Sequence, residues 1–314
     1  IRGKIKGIVQ CYLKKTSSPV ELYLSPIQID PENPALPVSH PLIYSIYLAK
    51  LFDKFATLGL PQDTWALNEG ILTDDGFLQQ TYGVHEKLEE IFFRSLRDCK
   101  RGMLCCVFDT TDVIQHEFWR YLEDGHPARK EEEFPLPQTI EDLYRRMDEM
   151  VGRVRDKLKK GDLLLIISDH GFKTFQRGVD VNSWLHRNGY LHLRDGETRS
   201  GEWYRDVDWS KTRAYAFGLS GLYLNREGRE AHGIVKPEEV APLKEELIEK
   251  LSGLADPERG DTKAITTLYD TEKIYTGPYK DNAPDLIMGF YPGYRHAWES
   301  VSGEVTAAAF IDND

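Results

Sequence analysis

The chain has 314 residues, 40% apolar and 29% charged, with a net charge of −11. That length suits one large domain or two small ones, and that composition suits an ordinary soluble globular protein. The acidic balance disfavours a long nucleic-acid footprint, which needs basic stripes, but it leaves room for a small anionic substrate beside bound cations. No apolar run approaches the ~20 residues needed to cross a bilayer. Residues 1–30 are too charged for an export signal, so the cytoplasm is the default compartment unless a signal once preceded Ile1. The four cysteines, Cys11, Cys99, Cys105 and Cys106, match no zinc-finger spacing and read as reduced structural residues, the last two inside a buried strand.

In chain order, residues 4–14 and 19–29 read as two strands around the turn Thr16-Ser17-Ser18-Pro19. A proline-rich loop over 30–40 precedes a helix over 41–58, an irregular stretch over 59–73 and a long helix over 74–98. Met103 to Phe108 is a candidate buried strand ending in Asp109-Thr110-Thr111-Asp112. A polar stretch over 123–138 reads as a surface loop. The helix over 140–159 follows, with Ile140, Leu143, Met147, Val151, Val154 and Leu158 at helical spacing and Thr139 with Asp142 resembling a capping box. Gly161 ends it, and Leu163–Ile167 forms an unbroken apolar run that suits a strand buried on both faces. A strand, helix, strand series of this length predicts a βαβ unit with two parallel strands. Further on, a helix is expected over 181–187, strands over 190–193, 213–219, 221–225 and 285–290, a strand or two over 263–276, and an amphipathic helix over 237–253. There is no internal repeat. The fold class expected is α/β, a three-layer α/β/α sandwich around a mostly parallel sheet, as one domain with insertions at about 1–70 and 190–280.

The chemistry concentrates where the two candidate strands end. Asp112 and His116 are four residues apart, so on a helix they share a face and can reach one ion. Ser168-Asp169-His170-Gly171 follows the second strand. Carboxylate and imidazole are both ligands for zinc or manganese, and in open α/β sheets ligands bind outside the carboxyl ends of the strands. Taken alone, either pair is as consistent with surface decoration or a strand-ending turn. Joined by one βαβ crossover, the pairs are expected on one sheet edge, as a two-metal phosphoryl site requires.

The segments Asp112-x-x-Gln115-His116-x-Phe118-Trp119 and Ser168-Asp169-His170-Gly171-Phe172 resemble the alkaline phosphatase superfamily. With Thr64-Trp65-Ala66-Leu67-Asn68-Glu69-Gly70 and Arg177–Leu185, the sequence is most similar to the type I phosphodiesterase/nucleotide pyrophosphatase branch. The resemblance implies an alkaline phosphatase-like fold and hydrolysis of small phosphate esters or nucleotides. It further implies two divalent ions, zinc or manganese, one on Asp112, His116 and a later His. The other sits on Asp169, His170, an early Asp and a Thr or Ser nucleophile. The early Asp and the nucleophile are expected upstream of Ile1, and the later His, usually in a Gly-Asp-His context, beyond Asp314. The chain therefore reads as an incomplete, poorly metal-binding and inactive piece of a hydrolase, with no catalytic nucleophile of its own. Its oligomeric state is unspecified. Two rival readings stand: another superfamily phosphomonoesterase, sulfatase or phosphomutase, and a metal-free binding or scaffold domain.

Other residues fit less demanding roles. His296 reads as a loop residue, with substitution for the later His as the minor alternative, and His126 as an exposed loop residue. His40, His85, His186, His192 and His232 show no ligand spacing. Ser168, Thr110 and Thr111 suit capping or support of the ligands, and Asp109 suits support of them. Lys173 and Arg177 are open between phosphate contact and solvated charge. The six tryptophans look like packing.

Overall fold

The computed structural model describes residues 5–129 and 138–313. The chain divides into two compact units, Ile1–Leu122 with Glu132–Ile166, and Glu123–Glu131 with Ile167–Asp314.

In the first unit, β1 (Gly7–Ile8), β2 (Cys11–Lys15), β3 (Glu21–Leu24) and β4 (Gln28–Ile29) form two antiparallel ribbons, β1 with β4 and β2 with β3. Helices follow: α1 (Ile43–Phe52), α2 (Thr64–Asn68), α3 (Asp74–Asp98), α4 (Thr110–Phe118) and α5 (Thr139–Arg155). The start of α3 is set by Thr73, whose hydroxyl accepts from Gly76 N at 3.1 Å, with Asp74 and Asp75 meeting the positive end of the helix dipole. Asp74 is buried and takes bonds from Arg120 Nη2 at 3.0 Å and from the Tyr121 hydroxyl, which fastens α3 to the turn after α4. Leu67, Leu72, Phe77, Ile114, Phe118 and Leu143 make the core where α2 to α5 meet. The capping box expected at Thr139 does not form. Thr139 is itself the first helical residue, and Gln138 before it makes no side-chain cap. Of the loop expected over 123–138, residues 130–137 lie outside the described residues.

The second unit contains β5 (Phe175–Val179), α6 (Val181–Arg187), β6 (Ala214–Phe217), β7 (Gly221–Leu224), α7 (Pro237–Leu251), β8 (Ala255–Asp256), β9 (Thr262–Lys263), β10 (Ile265–Asp270), α8 (Thr271–Ile274), β11 (Leu286–Phe290), β12 (Gly293–His296), α9 (Trp298–Val301) and β13 (Phe310–Asp312). A four-stranded antiparallel sheet runs β10-β11-β7-β6, and a three-stranded one runs β12-β5-β13, with β12 parallel to β5. Helix α7 lays Leu243, Leu247 and Leu251 into a core shared with Leu222, Leu224 and Leu286, each worth about 1.5–3 kcal/mol of burial. Gly178 allows the tight approach of β5 to the end of β12. A Cβ there would lie 2.9 Å from Ala297 Cα.

Several expectations need correction. Among the described residues the molecule is mixed α and β, with small and mostly antiparallel sheets. Neither 103–108 nor 163–167 is a buried strand: Val107 is 76% and Ile167 87% exposed, and no described strand pairs with either segment. An apolar run becomes a buried strand only when neighbours take its N–H and C=O groups and cover its faces, and no described neighbour does so here. Cys105 is accordingly exposed, while Cys106 is half-buried, with burial pushing its thiol up to about 11. The strand expected over 190–193 reduces to one bridge, Leu193 with Val207, and Thr271–Ile274 is a helix where a strand was expected.

Candidate metal-binding pairs

Helix α4 positions the first pair. Val113, Ile114 and Phe118 face the core, so the helical repeat puts Asp112 and His116 on the outer stripe one turn apart. His116 Nε2 lies 3.3 Å from Asp112 Oδ1, with both side chains partly open to solvent. The helix is held at several points. Asp109 C=O accepts from Val113 N at 3.0 Å. Gln115 Nε2 donates to Thr111 C=O at 2.9 Å, and Tyr144 of α5 donates to Gln115 Oε1 at 3.3 Å. At the start of α4, Thr110 Oγ1 lies 3.0 Å from His85 Nδ1 of α3. Both are fully buried, and burial first, then the nearby Arg146, lowers the His85 pKa and keeps the ring neutral. His85 shows no ligand spacing, and its support of α4 is a role the spacing did not indicate. The available signal was a histidine on the apolar stripe of a long helix.

The second pair lies in the second unit, just ahead of β5. Asp169 is 90% and His170 50% exposed at the side chain, with His170 Nε2 3.7 Å from Asp169 Oδ2. His170 Nδ1 donates to Gly171 C=O at 3.0 Å, and the Ser168 hydroxyl donates to His170 C=O at 2.5 Å. A ring that donates from Nδ1 to a carbonyl presents its Nε2 lone pair, the form in which imidazole takes a metal. Ser168 is thus a turn-forming hydroxyl. Among the described residues no group of three or more His, Cys, Asp or Glu side chains gathers as a metal site. Each pair offers two donors, fewer than the four of a closed zinc site.

The remaining candidates resolve as structure. His296 is not in a loop. It ends β12 in the core, donates from Nδ1 to Gly218 C=O at 2.6 Å, and is held neutral by burial, its pKa lowered to about 4. His126 is buried rather than exposed, donating from Nε2 to Phe175 C=O at 2.9 Å and accepting from Ala128 N at 3.2 Å. Arg177 is a buried ion-pair hub. It meets Asp256 at 2.5 Å, Asp312 at 2.7 Å and Glu258, and joins β5 to β13 and to the turn after β8. Asp109 accepts a long bond from Gln62 Nε2 at 3.5 Å.

A family model described as type I phosphodiesterase / nucleotide pyrophosphatase matches residues 50–301, most of the chain. The chain belongs to that family. The match spans Asp112, His116, Asp169 and His170 and fits membership in the alkaline phosphatase superfamily. It indicates a phosphodiesterase/nucleotide pyrophosphatase-type hydrolase. Neither curated proteins nor solved structures returned a match.

Proposed function

We propose that this chain carries half-sites of a metal-dependent phosphodiesterase, with Asp112 and His116 holding one divalent ion and Asp169 and His170 a second. The observation that carries the reading is the 3.3 Å carboxylate–imidazole pair on the outer stripe of α4, inside the region matched by the family. The donor chemistry fits: carboxylate oxygen with neutral imidazole suits zinc or manganese, and the Gly171 carbonyl sets the His170 tautomer that such an ion needs. Bound divalent ions supply charge that stabilises the phosphoryl oxygens and lowers the pKa of an attacking hydroxyl. The chain's own part is to orient the ligands: α4, held by His85 and Tyr144, fixes the first pair, and the turn at Ser168–Gly171 fixes the second. The proposed fold is alkaline phosphatase-like, as one domain, and the proposed substrates are small phosphate diesters or nucleotides.

Two donors per ion make weak sites, so this chain alone is expected to bind zinc or manganese loosely and to hydrolyse bis-p-nitrophenyl phosphate no faster than background. Calorimetric titration with manganese should show weak binding that diminishes in H116N and again in H116N/H170N. Identical isotherms in all three proteins would remove the metal assignment. Robust turnover by the unaltered chain would show that the sites are not half-sites.

A further inference from the structure

Arg295, near the end of β12, has no counter-ion among the described residues. No carboxylate of the described residues lies within 4.0 Å of its guanidinium, and its Nε is buried with no hydrogen-bond partner. Its neighbours in the same unit show the usual arrangement: Arg177 meets three carboxylates, and Arg229 meets Asp285 and Glu230. A cation taken out of water costs free energy unless it is paired, and buried polar groups left without partners are rare.

The guanidinium is nevertheless fixed in place. Its central carbon lies 3.9 Å from the centroid of the Phe175 ring and 4.1 Å from that of Trp298. Parallel pairing of β12 with β5, with Arg295 opposite Gly178, holds the strand under it. Aromatic faces attract the charge, but they do not replace strong acceptors for the N–H groups in the guanidinium plane. Burial lowers the Arg295 pKa to about 10, as expected of a desolvated cation with no acid beside it among the described residues. Pre-ordering by two rings means that little side-chain freedom is lost when the edge is used, and a planar fork of donors matches an oxyanion held through two oxygens.

We propose that Arg295, clamped by Phe175 and Trp298, anchors a binding site for a small oxyanion, a phosphate or carboxylate group, that requires no metal. The proposal does not depend on the two-metal reading, and its test is run in chelator so that the two fail separately. Inorganic phosphate and, in a second arm, acetate are titrated calorimetrically into the chain with EDTA present. Saturable binding by either anion is expected, the tighter one identifying the source. R295Q is expected to weaken it by about tenfold or more, as loss of charge-assisted hydrogen bonds does, and R295K to fall between. In parallel, phenylglyoxal labelling of the unaltered chain is read by peptide mass spectrometry, and the bound anion should protect Arg295. This arm needs no variant to fold. Absence of saturation by both anions, equal affinity in R295Q, or labelling of Arg295 that neither anion changes would overturn the proposal.

Discussion

His296 shows how one side chain can carry a pH dependence for a whole unit. Its imidazole is almost fully buried and its pKa falls to about 4 from the ordinary 6.5 because burial disfavours the cation. The unfolded chain takes up that proton near 6.5 and the folded chain does not until about 4. Stability from this residue is therefore complete above 6.5 and drains away as pH falls towards 4, by about 3 kcal/mol in all. Urea midpoints measured at steps from pH 7 to pH 4 should fall, and the fall should be shallower in H296F. Asp180 is the second decisive residue. Fully buried, it accepts from Ser183 N at 2.8 Å, Thr306 N at 3.1 Å, Thr306 Oγ1 at 2.6 Å, and the hydroxyls of Ser183 and Ser300. D180A removes the common acceptor of five donors, of which Thr306 N, Thr306 Oγ1 and the Ser183 hydroxyl keep a second acceptor, and a loss of about 3 kcal/mol is expected in denaturant unfolding. Neither role was legible in the sequence. Asp180 followed by Val181 and Asn182 reads as a plain helix cap, and its partners Ser300 and Thr306 are brought to it by the fold.

Among the elements, α4 is the one on which the candidate site depends. Its inner face is the apolar stripe Val113, Ile114 and Phe118, and Phe118 packs against Phe77 of α3 at 6.2 Å between ring centroids. F118A should cost about 3–5 kcal/mol by opening a cavity, and it should loosen manganese binding at Asp112 and His116, which calorimetry on the folded variant would detect. Helices were the legible elements: α3 spans the expected 74–98 and α6 the expected 181–187. The three-stranded sheet of β5, β12 and β13 was not anticipated. Phe175-Gln176-Arg177-Gly178-Val179 has no alternation to read, because its arginine is buried by ion pairs rather than turned to water. The residues at 112, 116, 169 and 170 could be singled out because ligand chemistry needs particular side chains at particular spacings. The strands before them were misread because apolarity states a preference for cover and cannot supply the neighbour that provides it.

At the scale of the whole molecule, the apolar runs 103–107 and 163–167 place Met103, Val107, Leu163 and Ile167 at the surface. Such runs of high β-propensity invite association despite a net charge of −11. The chain is expected to bind anilinonaphthalene sulfonate and to aggregate on concentration, and V107K/I166K should reduce both, as followed by dye fluorescence and light scattering. The second unit shows the opposite economy at its far end. Phe310, Ile311 and Asp312 pair along β5, Asp312 closes on Arg177, Asn313 N reaches Gln176 C=O at 2.9 Å, and Thr306 completes the shell of Asp180. Those closing residues act as the buckle of a belt: a protease cut between Ser302 and Thr306 would take Asp312 from Arg177 and Thr306 from Asp180 together. The unit could then be unfastened from its tail while every helix in it remained whole.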